Sequence, residues 1–259
     1  MEIIELPNSS LKPFDAGDGI RLSPKKPNWR NKLVHLWCSC VASVSIGSAC
    51  LADATFETGT ISIGLDQPSF SDANFINFDS NVALRAGNLG FQLDGSVSYY
   101  VQEGFNSVTI PSFGVHVFHQ LDNGHKYGAF ASYSAYGLRA VGAEALVTLG
   151  PVNLEAAIGQ LSGSGDPLYT VALNLSYAAS ENIELNAGYE TYFDGNGYSG
   201  DFFLLGATFF IPNSSFAVSA EYLGLDGGAS SIGANISWHF GRNSSRNLWN
   251  ERISNYKYF

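Results

Sequence analysis

From Thr55 onward the chain alternates apolar and polar residues with a period of two. In "SSIGANISWHF" (Ser230–Phe240), Ile232, Ala234, Ile236, Trp238 and Phe240 take every second place, and Gly233, Asn235, Ser237 and His239 fill the gaps. Successive side chains of a strand point to opposite faces, so such a stretch is a strand with one greasy and one polar side. The pattern recurs in "TGTISIGL", "NVALRAG", "GFQLDGSVSYYVQ", "PSFGVHVFHQ", "KYGAFASYSAYG", "RAVGAEALVTL", "VNLEAAIGQ", "LYTVALNLSY", "NIELNAGYETYF", "DFFLLGATFFI" and "SFAVSAEYLG". No long helical period interrupts it. About twelve strands are expected, an even number, in an all-β fold.

The connections alternate as well. Short turns are expected near Asn88–Gly90, Asp122–His125, Leu149–Gly150, Ala179–Glu181 and Pro212–Ser214. Longer ones are expected at Asp66–Ser80, Glu103–Ser107, Leu161–Pro167, Asp194–Gly200 and Leu225–Gly228, with Tyr136–Leu138 an exception in being short. Short turns at one end and longer loops at the other mark an up-and-down membrane barrel. All the short turns then share the side of both termini. "DQPSFSDANFINFDS" (Asp66–Ser80) carries Phe70, Phe75, Ile76 and Phe78, which predicts a loop folded over or into the barrel mouth.

Composition decides what the two faces meet. Only 14% of the 259 residues are charged while 45% are hydrophobic and 14% aromatic; about 25% charged is usual for a globular domain. The polar faces hold Gly, Ser, Asn and Thr with scattered Glu, and hardly any Lys. A soluble β-sandwich or lipocalin-like barrel is the alternative, and it would clothe its outside in charge. Aromatics gather at strand ends: Tyr99, Tyr169, Tyr177, Tyr189, Phe193, Phe216, Tyr222, Trp238 and Phe240. They are read as the girdles of a lipid-facing band. Between Thr55 and Phe240 only Arg85, Lys126 and Arg139 are basic against 17 acids, 3 − 17 = −14. That excludes a nucleic-acid partner, which needs clustered Lys and Arg.

The first 54 residues read as an address. Basic "KKPNWRNK" (Lys25–Lys32) precedes the apolar stretch Leu33–Leu51, and "ADA" (Ala52–Ala54) supplies a small-x-small cleavage pattern. Residues 1–54 are thus an N-terminal extension and cleaved signal peptide, with Thr55 first in the mature chain. An uncleaved apolar helix of marginal length is the alternative; a lipoprotein signal ending at Cys50 fits worse, because Gly47 stands where a Leu-like residue belongs. All three cysteines, Cys38, Cys40 and Cys50, fall in this stretch, so the body has neither a disulfide framework nor a thiolate metal site.

The signal segment, even strand count, Gly and Tyr alternation, acidic loops and last strand ending on Phe240 resemble a Gram-negative outer-membrane β-barrel. "LGPVNLEAAIG", "ENIELNAGYETYFDG" and "VSAEYLG" resemble its small porin-like members. The resemblance implies a transmembrane up-and-down antiparallel β-barrel over residues 55–240. It implies localisation in the cell outer membrane, contact with outer-membrane lipid and the barrel-insertion machinery, and passive transport of small solutes. The acidic balance adds a weak preference for cations. Strand spacing and tilt give twelve strands a backbone diameter of roughly 24 Å, which leaves a narrow lumen. The other reading is a non-transporting structural or anchoring barrel, its lumen plugged by Tyr100, Phe118, Tyr192, Arg85 and the acids. The tail after Phe240, residues 241–259, departs from the pattern. It carries Arg242, Arg246, Arg252 and Lys257 and is read as a periplasmic extension; alternatively it folds back and Phe259 supplies the insertion signal.

Parity assigns Arg85, Asp94, His116, Glu144, Glu155, Glu184, Glu190 and Glu221 to the lumen, with Arg85 the sole inward basic residue. A turn at Leu149–Gly150 sets Glu144 directly opposite Glu155, where like charges repel or share a proton. Relief of that repulsion by amide substitution would then stabilise the barrel. His116 and Ser112 are the candidates for nucleophilic chemistry, without a "GxSxG" or an acid placed by the sequence; His119 falls on the other face. Two carboxylates could serve glycosidase chemistry, with nothing further in support. "DGNGYSGD" and "SGSGDP" lack the final Glu of a calcium loop. No catalytic residue, cofactor or metal is expected, and no enzyme activity.

Overall fold

The computed structural model describes residues 54–69, 74–101, 108–134, 137–163, 167–194, 197 and 199–241. The expected signal peptide, the tail after Gly241 and the tips of several loops lie outside the described residues. Twelve antiparallel strands run in chain order: β1 (Thr55–Pro68), β2 (Asn74–Ala86), β3 (Leu89–Val101), β4 (Val108–Gln120), β5 (Lys126–Ser134), β6 (Arg139–Leu149), β7 (Val152–Ser162), β8 (Leu168–Ala178), β9 (Ile183–Phe193), β10 (Ser199–Phe210), β11 (Phe216–Leu225) and β12 (Ser230–Gly241). Each pairs with its sequence neighbours, and β1 pairs with β12 from Thr58↔Gly241 to Pro68↔Ser231, which closes the barrel. Thr55, the expected first residue of the mature chain, is also the first residue of β1. With an even strand number, the start of β1 and the end of β12 share one rim, called here the terminal rim; the opposite one is the distal rim.

The outside is apolar along its whole girth. Ile232 is 65% exposed, Ile158 62%, Leu65 59% and Leu149 59%. An apolar surface continuous around a barrel has no place in water and suits the hydrocarbon layer of a membrane, where only a helix or a closed sheet leaves no backbone group unpaired. Outward aromatics form a ring at each rim. Phe56, Tyr127, Tyr177, Phe216, Trp238 and Phe240 stand at the terminal rim, and Tyr99, Tyr133, Tyr169, Phe193, Phe203 and Tyr222 at the distal one. Neighbours pack within each ring: Phe240 against Trp238 at 4.9 Å and Phe56 at 5.7 Å, Tyr169 against Phe193 at 5.9 Å. Along β8, Tyr169 and Tyr177 are separated by about 26 Å of strand, or about 20 Å along a barrel axis tilted 40°, close to the height of an outer-membrane apolar band.

Two expectations about connections need correction. The turn between β6 and β7 is Gly150–Pro151, not Leu149–Gly150, because Leu149 pairs with Val152. Proline has no N–H for the ladder and a fixed φ. Gly150, with φ 62°, supplies the left-handed first position that a two-residue hairpin of this kind requires. The register moves by two, which preserves which face each residue takes and changes its partner. Second, most of Asp66–Ser80 is strand rather than loop, and Phe70 lies outside the described residues. β1 continues to Pro68 and β2 begins at Asn74, so Phe75, Ile76 and Phe78 are strand residues. Phe75 points inward onto Tyr100, with ring centroids 5.2 Å apart, and Phe78 points outward. The apolar residues that suggested a folded-in loop are the alternating faces of β2.

Glycine makes room for aromatic rings inside. Phe130 lies across β6 and β7, where a Cβ on Gly142 would come within 2.6 Å of the ring and one on Gly159 within 3.0 Å. Gly142→Val should therefore lower stability by about 1–3 kcal/mol, the usual penalty of overpacking. Gly95 on the outer face would meet only the Ser80 hydroxyl, so Gly95→Ala should shift stability far less. Urea unfolding midpoints of the two variants in lipid vesicles check the contrast.

Candidate functional site: the barrel interior

The inward positions follow from strand parity. On β3 they are Gly90, Gln92, Asp94, Ser96 and Ser98; on β4, Gly114, His116 and Phe118; on β6, Ala140, Gly142, Glu144 and Leu146. Directly across from Asp94 on β4 is Gly114, and directly across from Glu144 on β5 is Gly128. Gly114 has no side chain to block Asp94, whose carboxylate leans over it, and both carboxylates reach the same imidazole. His116 Nε2 lies 2.7 Å from Asp94 Oδ2, and Nδ1 lies 2.7 Å from Glu144 Oε1. Gln92 Nε2 donates to the other Asp94 oxygen at 2.8 Å. All four side chains are buried, His116 at 1% exposure. An ionised carboxylate only accepts hydrogen bonds. Either both ring nitrogens carry protons, giving an imidazolium between two anions, or one carboxyl holds the proton. The bridge fastens β3, β4 and β6 together across the inside of β5.

Glu144 therefore does not face Glu155. Glu144 pairs with Ala157 and Glu155 with Leu146, a consequence of the Gly150–Pro151 turn. The repulsion expected of two opposed acids is replaced by a shared histidine, and amide substitution at 144 removes a bond rather than a clash. Nor is Arg85 the sole inward cation. It sits at the terminal rim, bound to Glu57 at 3.1 Å and to the Gly87 carbonyl at 2.7 Å. Lys126, at the start of β5, is buried inside with its Nζ 4.7 Å above the Phe118 ring and feels the charges of Glu57, Glu144 and Glu155. Its inward parity is legible from "KYGAFASYS", where Lys126, Gly128, Phe130 and Ser132 alternate with Tyr127, Ala129 and Ala131.

The Ser112 and His116 candidates are not brought together. Four residues apart on one strand, they are separated by about 13 Å. Ser112 lies 2.6 Å from Ser96, and both imidazole nitrogens of His116 face carboxylates.

Farther from the terminal rim, Asn77 Nδ2 donates to Asp66 at 2.5 Å and the Ser98 hydroxyl donates to Asn77 Oδ1 at 2.7 Å, a chain across β1, β2 and β3. On the opposite wall of the same half an apolar layer projects into the lumen. Phe130, Leu161, Tyr192, Phe202 and Leu223 form it, with Leu138, Leu168, Leu204 and Leu225 packed around; Tyr192 and Phe202 meet edge to face at 5.2 Å. Below it, towards the terminal rim, the wall from β8 to β12 is polar and half-exposed: Asn174, Ser176, Glu184, Asn186, Thr208, Ser219 and Asn235. Glu190, half-buried just beneath Tyr192, accepts from the Thr170 hydroxyl at 2.8 Å. Glu221 leans with Asp66 over Gly233, where an added Cβ would meet both.

No protein-family model matches the chain, and neither does any curated protein sequence. Solved structures do. The NanC porin aligns with a TM-score of 0.57 and 12% identity over 69% of this chain and 98% of that one. The KdgM porin aligns with a TM-score of 0.53 and 11% identity over 70% and 99%, and KdgM in complex with disordered oligogalacturonate gives 0.52 and 12% over 70% and 99%. The likeness is one of fold: the chain shares the closed antiparallel β-barrel architecture of these porins.

Removal of the imidazole would leave Asp94 and Glu144 buried beside one another without their common partner. His116→Ala should destabilise the barrel by about 3–5 kcal/mol, the loss typical when one member of a buried charged set is deleted. Adding Asp94→Asn and Glu144→Gln should recover part of it. Unfolding midpoints of the single and triple variants test this.

Proposed function

We propose that the chain is an outer-membrane porin-like barrel that lets small solutes diffuse passively, with a weak preference for cations. One observation carries the reading. An apolar belt between two aromatic rings encloses a lumen whose half-exposed wall, from β8 to β12, is polar, holds Glu184, Glu190 and Glu221, and has no Lys or Arg among its described residues. Charges lining a low-dielectric cavity act strongly on a passing ion. Such a lumen does not suit oligogalacturonate, the polyanion in the KdgM complex. In this reading the aromatic rings sit at the headgroup level, and residues 1–54 direct secretion and are removed. Residues 241–259 extend into the periplasm, and the barrel-insertion machinery reads the end of β12.

A second reading has a specific observation behind it. The apolar layer around Tyr192 and Phe202 closes the distal half of the lumen on the β5–β11 side, as a plugged structural or anchoring barrel would require. Conductance separates the two. The purified protein in a planar bilayer should give small steps, with a reversal potential in a KCl gradient on the cation side. Truncation of the layer by Tyr192→Ala with Phe202→Ala should enlarge the steps severalfold. A silent wild-type barrel whose double variant conducts would establish the plugged reading.

Processing and orientation follow from the same proposal. The N-terminal sequence of the membrane-extracted protein should begin at Thr55. With both termini periplasmic, a cysteine in place of Gly197 on the β9–β10 loop should react with an impermeant thiol reagent on whole cells. One in place of Asn213, in the β10–β11 turn of the terminal rim, should not. The reverse labelling would invert the topology.

A further inference from the structure

The two sides of the lumen differ in a way that strand parity alone does not require. Towards the terminal rim, the inward residues of β3 to β7 are mostly shut away from solvent: Gln92 and His116 at 1%, Asp94 at 2%, Glu155 at 3%, Ala157 at 4%. At the same height on β8 to β12, Asn174, Asn186, Thr208, Ser219 and Asn235 are half-exposed, with Ala172, Ala217 and Ser237 buried between them. The charges divide likewise. Of the three basic residues described, Arg85 and Lys126 lie on or beside the packed side, within reach of Glu57, Glu144 and Glu155, while Arg139 points outward.

We infer that the lumen is partitioned: the Asp94–His116–Glu144 bridge seals the β3–β7 side, and in the terminal half solutes move only along the β8–β12 wall, passing the distal apolar layer beside Glu221, so that Glu184 and Glu221 set the preference for small cations. The inference rests on the porin reading and refines it, since it removes the central acids from selectivity. Asp94 and Glu144 are held by the imidazole between them, and Glu155 lies near Lys126. One net negative charge remains on the bridge, but it is buried and lies in the field of Lys126, so an ion on the β8–β12 wall feels it less than it feels Glu184 or Glu221. Along the β8–β12 wall the amides of Asn174, Asn186 and Asn235 and the hydroxyls of Thr208 and Ser219 offer hydrogen bonds that can replace the hydration of a small polar solute. The occupants this suits are hydrated monovalent cations and small neutral polyhydroxyl compounds, not anions. His116 acts here as a positioning residue that holds the partition.

Thiol accessibility reads the partition directly, because the body from Thr55 to Phe240 has no native cysteine. Four single variants of the protein, purified from membranes in detergent, are treated with a small hydrophilic thiosulfonate, and the modified residue is identified by peptide mass. Folding of each is verified by heat-modifiable gel migration. Asn186→Cys and Asn235→Cys should be modified rapidly, and Gln92→Cys and Ala157→Cys at least tenfold more slowly. Equal rates on the two sides would overturn the partition. Conductance then tests selectivity: Glu184→Gln with Glu221→Gln should abolish the cation preference, and Glu155→Gln should leave it unchanged. A loss of preference from Glu155→Gln, with none from the Glu184 and Glu221 pair, would overturn the assignment. If the wild-type barrel carries no current, the porin reading fails, and the labelling rates still decide whether the lumen is divided.

Discussion

Everything in this barrel depends on the pairing of β1 with β12. A sheet placed in hydrocarbon can have no edge, because each unpaired N–H or carbonyl there costs several kcal/mol. The seam runs from Thr58↔Gly241 to Pro68↔Ser231, and it converts a twelve-strand ribbon into a surface without ends. Closure then imposes the division of labour between faces. Once the outward positions belong to lipid, most polar side chains in the middle of the strands belong to the interior, and the interior has to satisfy them.

That demand explains why so much of the lumen is filled. Polar groups out of contact with water need partners, and here the partners are other strands' side chains. Asp66 finds Asn77, Asn77 finds Ser98, and His116 finds two carboxylates at once. Glycine is the residue that permits such reach. Gly114 stands where a side chain would crowd Asp94 beside His116, Gly128 makes room for Phe118, and Gly142 and Gly159 give Phe130 a flat bed. A barrel with larger residues at these places would hold its polar groups apart and need water between them.

The strands, their number and their inward and outward faces were legible in the sequence, since a period of two is written in every segment and a buried strand tolerates no slip of one residue. Partners across the lumen were not. Asp94, His116 and Glu144 come from β3, β4 and β6, and no local pattern states which inward residues meet around a curved wall. The misplaced β6–β7 turn had a readable signal, Gly150 followed by Pro151, and one residue of error there moved Glu144 from Glu155 to Ala157. Lys126 was overlooked although its parity was plain. The Asp66–Ser80 segment failed for a different reason: its Phe, Asn and Asp mixture suits a loop, and only pairing with β1 and β3 makes it strand.

The seam also sets an order of events. Eleven of the twelve pairings join neighbours along the chain and need only short closures, such as Leu149↔Val152. The twelfth brings together Thr58 and Gly241. For a flexible chain, closing so long a loop costs about 4–5 kcal/mol in entropy, from the logarithmic dependence on length. Hairpins formed first shorten that search by curling the sheet until its edges approach. Closure of the seam is thus the natural last step of assembly. Before it, two open edges are available to any other chain in the same state. The stretch at greatest risk of mispairing is therefore neither the longest loop nor the greasiest strand, but the first and last strands together.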